Sequence, residues 1–152
     1  HPQRFDRVAE LVTRQGFTLS RRTDNNQLPP VQVYLGDTMG ELPVMLAAAD
    51  VAFIGGSLIE RGGHNLLEPA ALGKPVLTGP SFFNFNDITR QLVDAGGALV
   101  VTDSDELSRQ LHTLLSSPEH SARMGDRALN VVTANQGALV RTLTAIATQL
   151  DL

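Results

Sequence analysis

Two glycine-containing stretches, each placed where a helix is predicted to begin, hold the residues of this chain that could do chemistry. They are Thr38–Glu41 and Gly62–Glu68. The first N–H groups of a helix have no acceptor within the helix and carry partial positive charge, so they can bind an anion. We therefore predict that backbone N–H groups in both stretches meet the phosphate of a nucleotide. Met39 would lie against its base, and Glu68 would accept two ribose hydroxyls.

A structural interpretation of the same residues stays open. Asn65 with Glu68, and Thr38 with Glu41, have the spacing of a capping box, in which both side chains bond to backbone N–H groups of the first helical turn. Pro69 weakens this interpretation at Glu68, because the residue before a proline is disfavoured from helical dihedral angles. The spacing alone does not separate a cap from a ligand site.

Three further residues are candidates for nucleotide contacts. Arg4 precedes the first predicted helix and could reach a phosphate, while His64 could donate to a phosphate or sugar oxygen. Gly63 has no Cβ, so another molecule could approach its main chain closely. For Arg4 and His64 the alternative is an ordinary solvated surface position.

The pair Asp103 and Asp105 resembles the Asp-x-Asp of metal-dependent transferases. Asp103 and Glu106, however, have capping-box spacing at a predicted helix start. We therefore expect a helix cap at Asp103, with no metal bound there and no other cofactor.

Composition limits the class of protein. The chain has 152 residues, 42% of them hydrophobic, a formal net charge of -4 and no cysteine. The negative charge argues against a nucleic-acid partner, and the lack of cysteine excludes a disulfide framework. No apolar run approaches the roughly 20 residues of a membrane helix, so we expect the chain itself to be soluble. It opens on His1 and Pro2 directly before a helical pattern, and we expect it to be a piece of a longer protein.

Strand and helix patterns alternate along the chain. Helical spacing of apolar residues after position 38 places Leu42, Met45, Leu46 and Ala49 on a buried face. Strands are predicted over 17–20, 31–35, 51–54, 75–78 and 98–101, and helices over 5–15, 38–49, 65–73, 87–95, 103–115, 118–135 and 138–150. This order predicts an α/β fold, a Rossmann-like doubly wound parallel sheet, with residues 1–152 forming one nucleotide-sugar-binding domain.

Several segments together resemble the C-terminal lobe of the bacterial Kdo transferase family. Members of this family move 3-deoxy-D-manno-octulosonic acid (Kdo) from CMP-Kdo to a lipid A precursor. The resemblance covers nearly the whole chain and is carried by residues 1–5, 36–42, 47–57, 62–76 and 83–85.

The resemblance implies the donor-binding lobe of an inverting glycosyltransferase of the GT-B type. By similarity, CMP would contact Met39, Gly40, Glu41, Asn65, Leu66, Leu67 and Glu68. The general base, the acceptor site and the membrane anchor would belong to an N-terminal lobe outside this chain. The chain would then carry no catalytic residue and be inactive alone, and its parent would work at the cytoplasmic face of the bacterial inner membrane.

Two alternatives remain at this point. One is another GT-B nucleotide-sugar enzyme, such as a UDP-sugar transferase or an epimerase, and the other is a non-catalytic nucleotide-binding domain. A loop over 81–86 is unusually aromatic, with Phe82, Phe83 and Phe85 among the six phenylalanines of the chain. We predict that this loop faces the second lobe or the lipid-bearing acceptor.

Overall fold

The computed structural model describes residues 2–24 and 30–136 of the chain. Two compact units are present, His1–Met45 and Leu46–Leu152. The helices are α1 (Phe5–Arg14), α2 (Leu42–Ala48), α3 (Leu67–Ala71), α4 (Asn86–Asp94), α5 (Ser104–Ser116) and α6 (Pro118–Asn135). The strands are β1 (Leu19–Arg21), β2 (Val33–Leu35), β3 (Ala52–Ile54), β4 (Val76–Thr78) and β5 (Ala98–Val100), and short 3-10 turns cover Pro2–Arg4 and Phe83–Phe85. The helix predicted over 138–150 lies outside the described residues.

In the first unit, β1 and β2 pair in parallel, with Arg21 opposite Leu35. Both strands begin two residues later than predicted. The amide of Thr18 donates to the side-chain carbonyl of Gln32 (3.1 Å), and the amide of Gln32 donates to the hydroxyl of Thr18 (3.0 Å). Side chains therefore occupy backbone groups that a longer ladder would have used.

The second unit contains a parallel sheet in the order β3-β4-β5. Successive residues of a strand point to opposite faces, and the central strand β4 is buried on both. Val76 belongs to a core cluster with Leu66, Ala70, Leu92, Ala98 and Ala128. Its neighbour Leu77 belongs to another, with Leu114 and Met124. The predicted α/β fold with parallel strands is confirmed.

The helix predicted over 38–49 was wrong at its start, since α2 begins only at Leu42. Gly40 has a φ of +82°, which no α-helix accommodates. The predicted burial of Leu42 was also wrong, because this residue is 52% exposed. Met45, Leu46 and Ala49 are half-buried.

The remaining helices lie close to their predicted positions. α3 starts two residues after the predicted position and holds Pro69 in its first turn, as expected. α1, α4, α5 and α6 agree with the predicted ranges to within one residue at each end. Over the described ranges 2–24 and 30–136, no helix has the length and apolar character to cross a membrane.

Candidate functional site

The first candidate segment, residues 37–41, begins with a buried carboxylate. The side chain of Asp37 is 2% exposed and accepts from the Arg21 guanidinium Nε (2.7 Å). It also accepts from the backbone N–H (3.0 Å) and the hydroxyl (2.6 Å) of Thr23. The Thr23 hydroxyl, together with Arg21, lowers the pKa of Asp37 from 3.8 to about 2. Asp37 is therefore ionised at neutral pH and fixes the start of the segment.

At the other end of this segment, both carboxylate oxygens of Glu41 are bonded within the protein. The Thr38 hydroxyl donates to Oε2. Arg22 Nη2 donates to Oε1 at 3.0 Å. The hydrogen bond from Thr38, and to a smaller extent the contact with Arg22, lower the pKa of Glu41. The capping box left open for Thr38 and Glu41 is not formed, because the two side chains bond to each other instead of to backbone N–H groups.

Between these two carboxylates the main chain is open. Gly40 is exposed in the left-handed conformation, with open space where a Cβ would stand, and Met39 is 72% exposed. Counting only acceptors in the described part of the chain, the backbone N–H groups of Met39, Gly40 and Glu41 have no partner. Free main-chain amides beside a left-handed residue are groups that bind anions. The segment thus offers a ligand its amides and the Met39 side chain.

The second candidate segment, residues 62–68, begins with glycines that the chain itself covers. Gly62 and Gly63 are buried and have φ of +77° and +64°. A Cβ on Gly62 would lie 2.4 Å from the side-chain nitrogen of Asn84, and one on Gly63 would lie 3.1 Å from the carbonyl oxygen of Ser81. The close approach predicted for another molecule is made here by the loop after β4.

Asn65 and Glu68 behave differently from each other. Asn65 Oδ1 accepts from the backbone N–H of Leu67 (3.0 Å), a local turn before α3. Glu68 is exposed, and among the described residues it has no hydrogen-bond or ion-pair partner. Of the two interpretations left open for Glu68, the capping box is therefore not formed. Leu66 is fully buried in the core and anchors this segment, while the carboxylate of Glu68 is free for a ligand.

Ser57 is a structural contact that sequence reasoning missed. Its buried hydroxyl donates to the carbonyl oxygen of Ile54 and accepts from the backbone N–H of Gly79 (2.7 Å). Its carbonyl oxygen accepts from the backbone N–H of Ser81 (2.9 Å). Ser57 therefore ties the loop after β3 to the loop after β4. The sequence shows a serine directly after Gly55 and Gly56, but this pattern does not predict a contact with Gly79.

The remaining candidates have simple surroundings. Arg4 and His64 are both exposed, and neither has a hydrogen-bond or ion-pair partner within the described ranges. Asp103 caps α5, because its Oδ1 accepts from the backbone N–H of Glu106 (2.7 Å). The Glu106 carboxylate accepts from the backbone N–H and hydroxyl of Thr102, which lowers its pKa. The predicted cap at Asp103 is confirmed.

Within residues 2–24 and 30–136, no group of three or more His, Asp or Glu side chains is arranged to hold a metal ion. Asp103 is accounted for by its capping contact alone.

Comparison with known families decides what kind of protein carries these segments. The family model described as "Glycosyl transferases group 1" matches residues 15–131. The chain belongs to this glycosyl transferase family. Residues 15–131 include both candidate segments, 37–41 and 62–68.

Individual relatives of this glycosyl transferase chain are more specific. It is 45% identical to a 3-deoxy-D-manno-octulosonic acid transferase of Haemophilus influenzae, over 99% of this chain and 36% of that protein. It is 41% identical to the transferase of the same name from Bordetella pertussis, over 96% of this chain and 35% of that protein. The chain thus spans about a third of the length of these curated relatives.

A solved structure shares the fold of this glycosyl transferase chain. It is the crystal structure of the C-terminal CMP-Kdo binding domain of WaaA from Acinetobacter baumannii. The TM-score is 0.83 with 36% sequence identity, over 87% of this chain and 69% of that one. The predicted relationship to the C-terminal lobe of Kdo transferases is confirmed.

The two candidate segments lie in different units of this glycosyl transferase. Residues 37–41 belong to the unit His1–Met45, and residues 62–68 to the unit Leu46–Leu152. The structure brings Asn65, Leu66, Leu67 and Glu68 together as one continuous stretch entering α3. Met39, Gly40 and Glu41 form a second stretch of their own before α2.

Proposed function

We propose that this chain is the donor-binding domain of a Kdo transferase and holds CMP-Kdo while Kdo moves to a lipid A precursor. The observation that carries the proposal is the 36% identity and TM-score of 0.83 to a crystallised CMP-Kdo binding domain. The similarity of this chain to the Haemophilus influenzae transferase, over 99% of its length, supports the same function.

Roles for the residues follow from what each segment leaves free. The backbone N–H groups of Met39, Gly40 and Glu41 bind the CMP phosphate, and the exposed Met39 side chain packs against the base. The free carboxylate of Glu68 accepts two ribose hydroxyls, as charge-assisted hydrogen bonds. Asn65 and Leu67 complete the CMP contacts of the second segment, and Leu66, which is fully buried and exposes no surface to a ligand, fixes their position. Arg4 and His64, both exposed, are further proposed contacts, whereas Gly63 is buried against the carbonyl oxygen of Ser81 and is not proposed as one.

The proposed reaction inverts the anomeric centre of Kdo. The bond between the anomeric carbon and the CMP phosphate oxygen breaks, and a bond to an acceptor hydroxyl oxygen forms. The hydroxyl proton passes to a general base outside this chain. This chain stabilises the negative charge that develops on the departing CMP phosphate through preorganised N–H groups. The acceptor site and the membrane association of the parent belong to the part of the protein beyond this chain.

The test is calorimetric titration of the chain with CMP, UMP and UDP. We expect CMP to bind more tightly than UMP at the same salt concentration, because the base contacts differ. Tighter binding of UDP would replace the proposal with a UDP-sugar transferase or epimerase. Equal binding of all three nucleotides would indicate a non-catalytic nucleotide-binding domain.

A further inference from the structure

Two consecutive arginines at the end of β1 hold the two ends of the segment 37–41. Arg21 pairs with Asp37 through its Nε at 2.7 Å. Arg22 pairs with Glu41 through its Nη2 at 3.0 Å. The three residues between these carboxylates include Met39 and Gly40, whose amides are free.

The parallel pairing of β1 and β2 makes this arrangement possible. Arg21 lies opposite Leu35, and the backbone N–H of Arg22 donates to the carbonyl oxygen of Leu35 (2.8 Å). The carboxyl ends of parallel neighbours meet at one edge of a sheet. The residues that leave β1 are therefore beside the residues that leave β2, within reach of Asp37 and Glu41.

The two pairs differ in what they do. The side chain of Asp37 is 2% exposed, and its pair with Arg21 is part of the folded unit. The side chains of Arg22 and Glu41 are 46% and 35% exposed. An exposed ion pair contributes little to stability. Arg22, however, donates to one Glu41 oxygen while Thr38 donates to the other. The Glu41 carboxylate is therefore fixed by two contacts, and it fixes the conformation of residues 38–41.

We propose that Arg22 is a positioning residue for nucleotide binding, acting through Glu41 on the free amides of Met39 and Gly40. That these amides bind a nucleotide rests on the proposed function. The effect of Arg22 on the conformation of the turn is independent of that function. In this account the Glu41 carboxylate orients the segment, and only its backbone N–H meets the nucleotide.

The first arm of the test measures affinity and stability. Arg22→Gln should weaken CMP binding roughly 3–10-fold, the net value of one hydrogen bond, with an unchanged Tm. Arg22→Lys keeps a cationic donor and should restore part of that affinity. The matched control is Arg14→Gln, which removes an exposed pair with Glu10 in the same unit and should change neither quantity. Equal CMP affinity of Arg22→Gln and wild type would overturn the proposal.

The second arm measures the turn without any nucleotide. Amide chemical shifts and hydrogen exchange of Met39, Gly40 and Glu41 should change in Arg22→Gln and stay unchanged in Arg14→Gln. Unchanged amides together with weakened CMP binding would make Arg22 a direct ligand and overturn its positioning role. If wild type fails to bind CMP, the proposed function fails, and this arm still decides whether Arg22 sets the turn.

Discussion

A Cβ atom on Gly79 would lie 2.3 Å from the carbonyl oxygen of Ser57, a distance that real Cβ atoms do not reach. The same two residues share a hydrogen bond of 2.7 Å from the Gly79 backbone N–H to the Ser57 hydroxyl. The loops after β3 and β4 are therefore joined by the Ser57 hydroxyl and by the bond from the Ser81 backbone N–H to the Ser57 carbonyl oxygen.

Ser57→Ala should destabilise the fold by about 1–3 kcal/mol, because it leaves the buried N–H of Gly79 without an acceptor. Urea unfolding followed by circular dichroism measures the change. Ser108→Ala, at an exposed position of α5, is the matched control and should leave the midpoint nearly unchanged. Equal midpoints for the two variants would contradict the structural importance of the Ser57 contact.

Glu68→Ala should weaken CMP binding roughly 10–100-fold, which is the loss of hydrogen bonds to a charged acceptor. The Tm should not change, since Glu68 has no hydrogen-bond or ion-pair partner in the described part of the chain. Asp105→Ala provides the control, because Asp105 is also exposed in the first turn of a helix and its side chain has no partner in the described part of the chain. A lower Tm with unchanged CMP affinity would mean that Glu68 stabilises only its helix.

Asp37 should make the stability of the first unit depend on acid pH. Its pKa is lowered from 3.8 to about 2 in the fold, so folding favours the ionised form. That stabilisation is complete well above the unfolded pKa and is lost as the pH falls through the folded pKa. The Tm difference between wild type and Asp37→Asn should stay constant from neutral pH to about 5, then shrink toward pH 2. The same comparison with the exposed Asp94→Asn should show no such change; a gap for Asp37→Asn that persists at pH 2 would refute the assignment.

The aromatic loop gives a prediction about the parent protein. Phe83 is 65% exposed on its 3-10 turn, and Phe82 and Phe85 are half-buried. If the loop faces a second lobe or the lipid-bearing acceptor, as we predict, backbone amides over 82–85 should exchange more slowly in the full-length parent than in this chain. The exposed stretch 102–105 serves as the internal reference. Equal protection of 82–85 in both proteins would leave Phe83 as an ordinary surface residue.

Helices with a long apolar period were predictable from the sequence. α5 is an example. Its start was also predictable, because it depends on a contact between Asp103 and Glu106, which are only three residues apart. The start of α2 was not predictable in this way. Thr38 and Glu41 have the same spacing, yet their side chains bond to each other, and the backbone at Gly40 turns out of the helical region. The same local pattern is compatible with either outcome.

The candidate site was only partly predictable for a related reason. The exposed Met39 and Glu68 follow from glycine and proline signals that act over a few residues. The contacts that hold the segments in place join residues far apart in sequence: Arg21 and Asp37 are 16 apart, and Arg22 and Glu41 are 19 apart. Spacing within one stretch contains no information about such pairs, because they depend on which strands become neighbours.

The contacts of Gly62 with the Ser81 hydroxyl and the Asn84 side chain limit how this protein can be re-engineered or diverge. A chimera that imports the loop after β3 from a relative, in order to change the sugar donor, brings a surface shaped for a different neighbour. Such a graft needs the relative's loop after β4 as well. A side chain gained at position 62 would be strained by the φ of +77° and would displace the side chain of Asn84, so the two loops are best exchanged together.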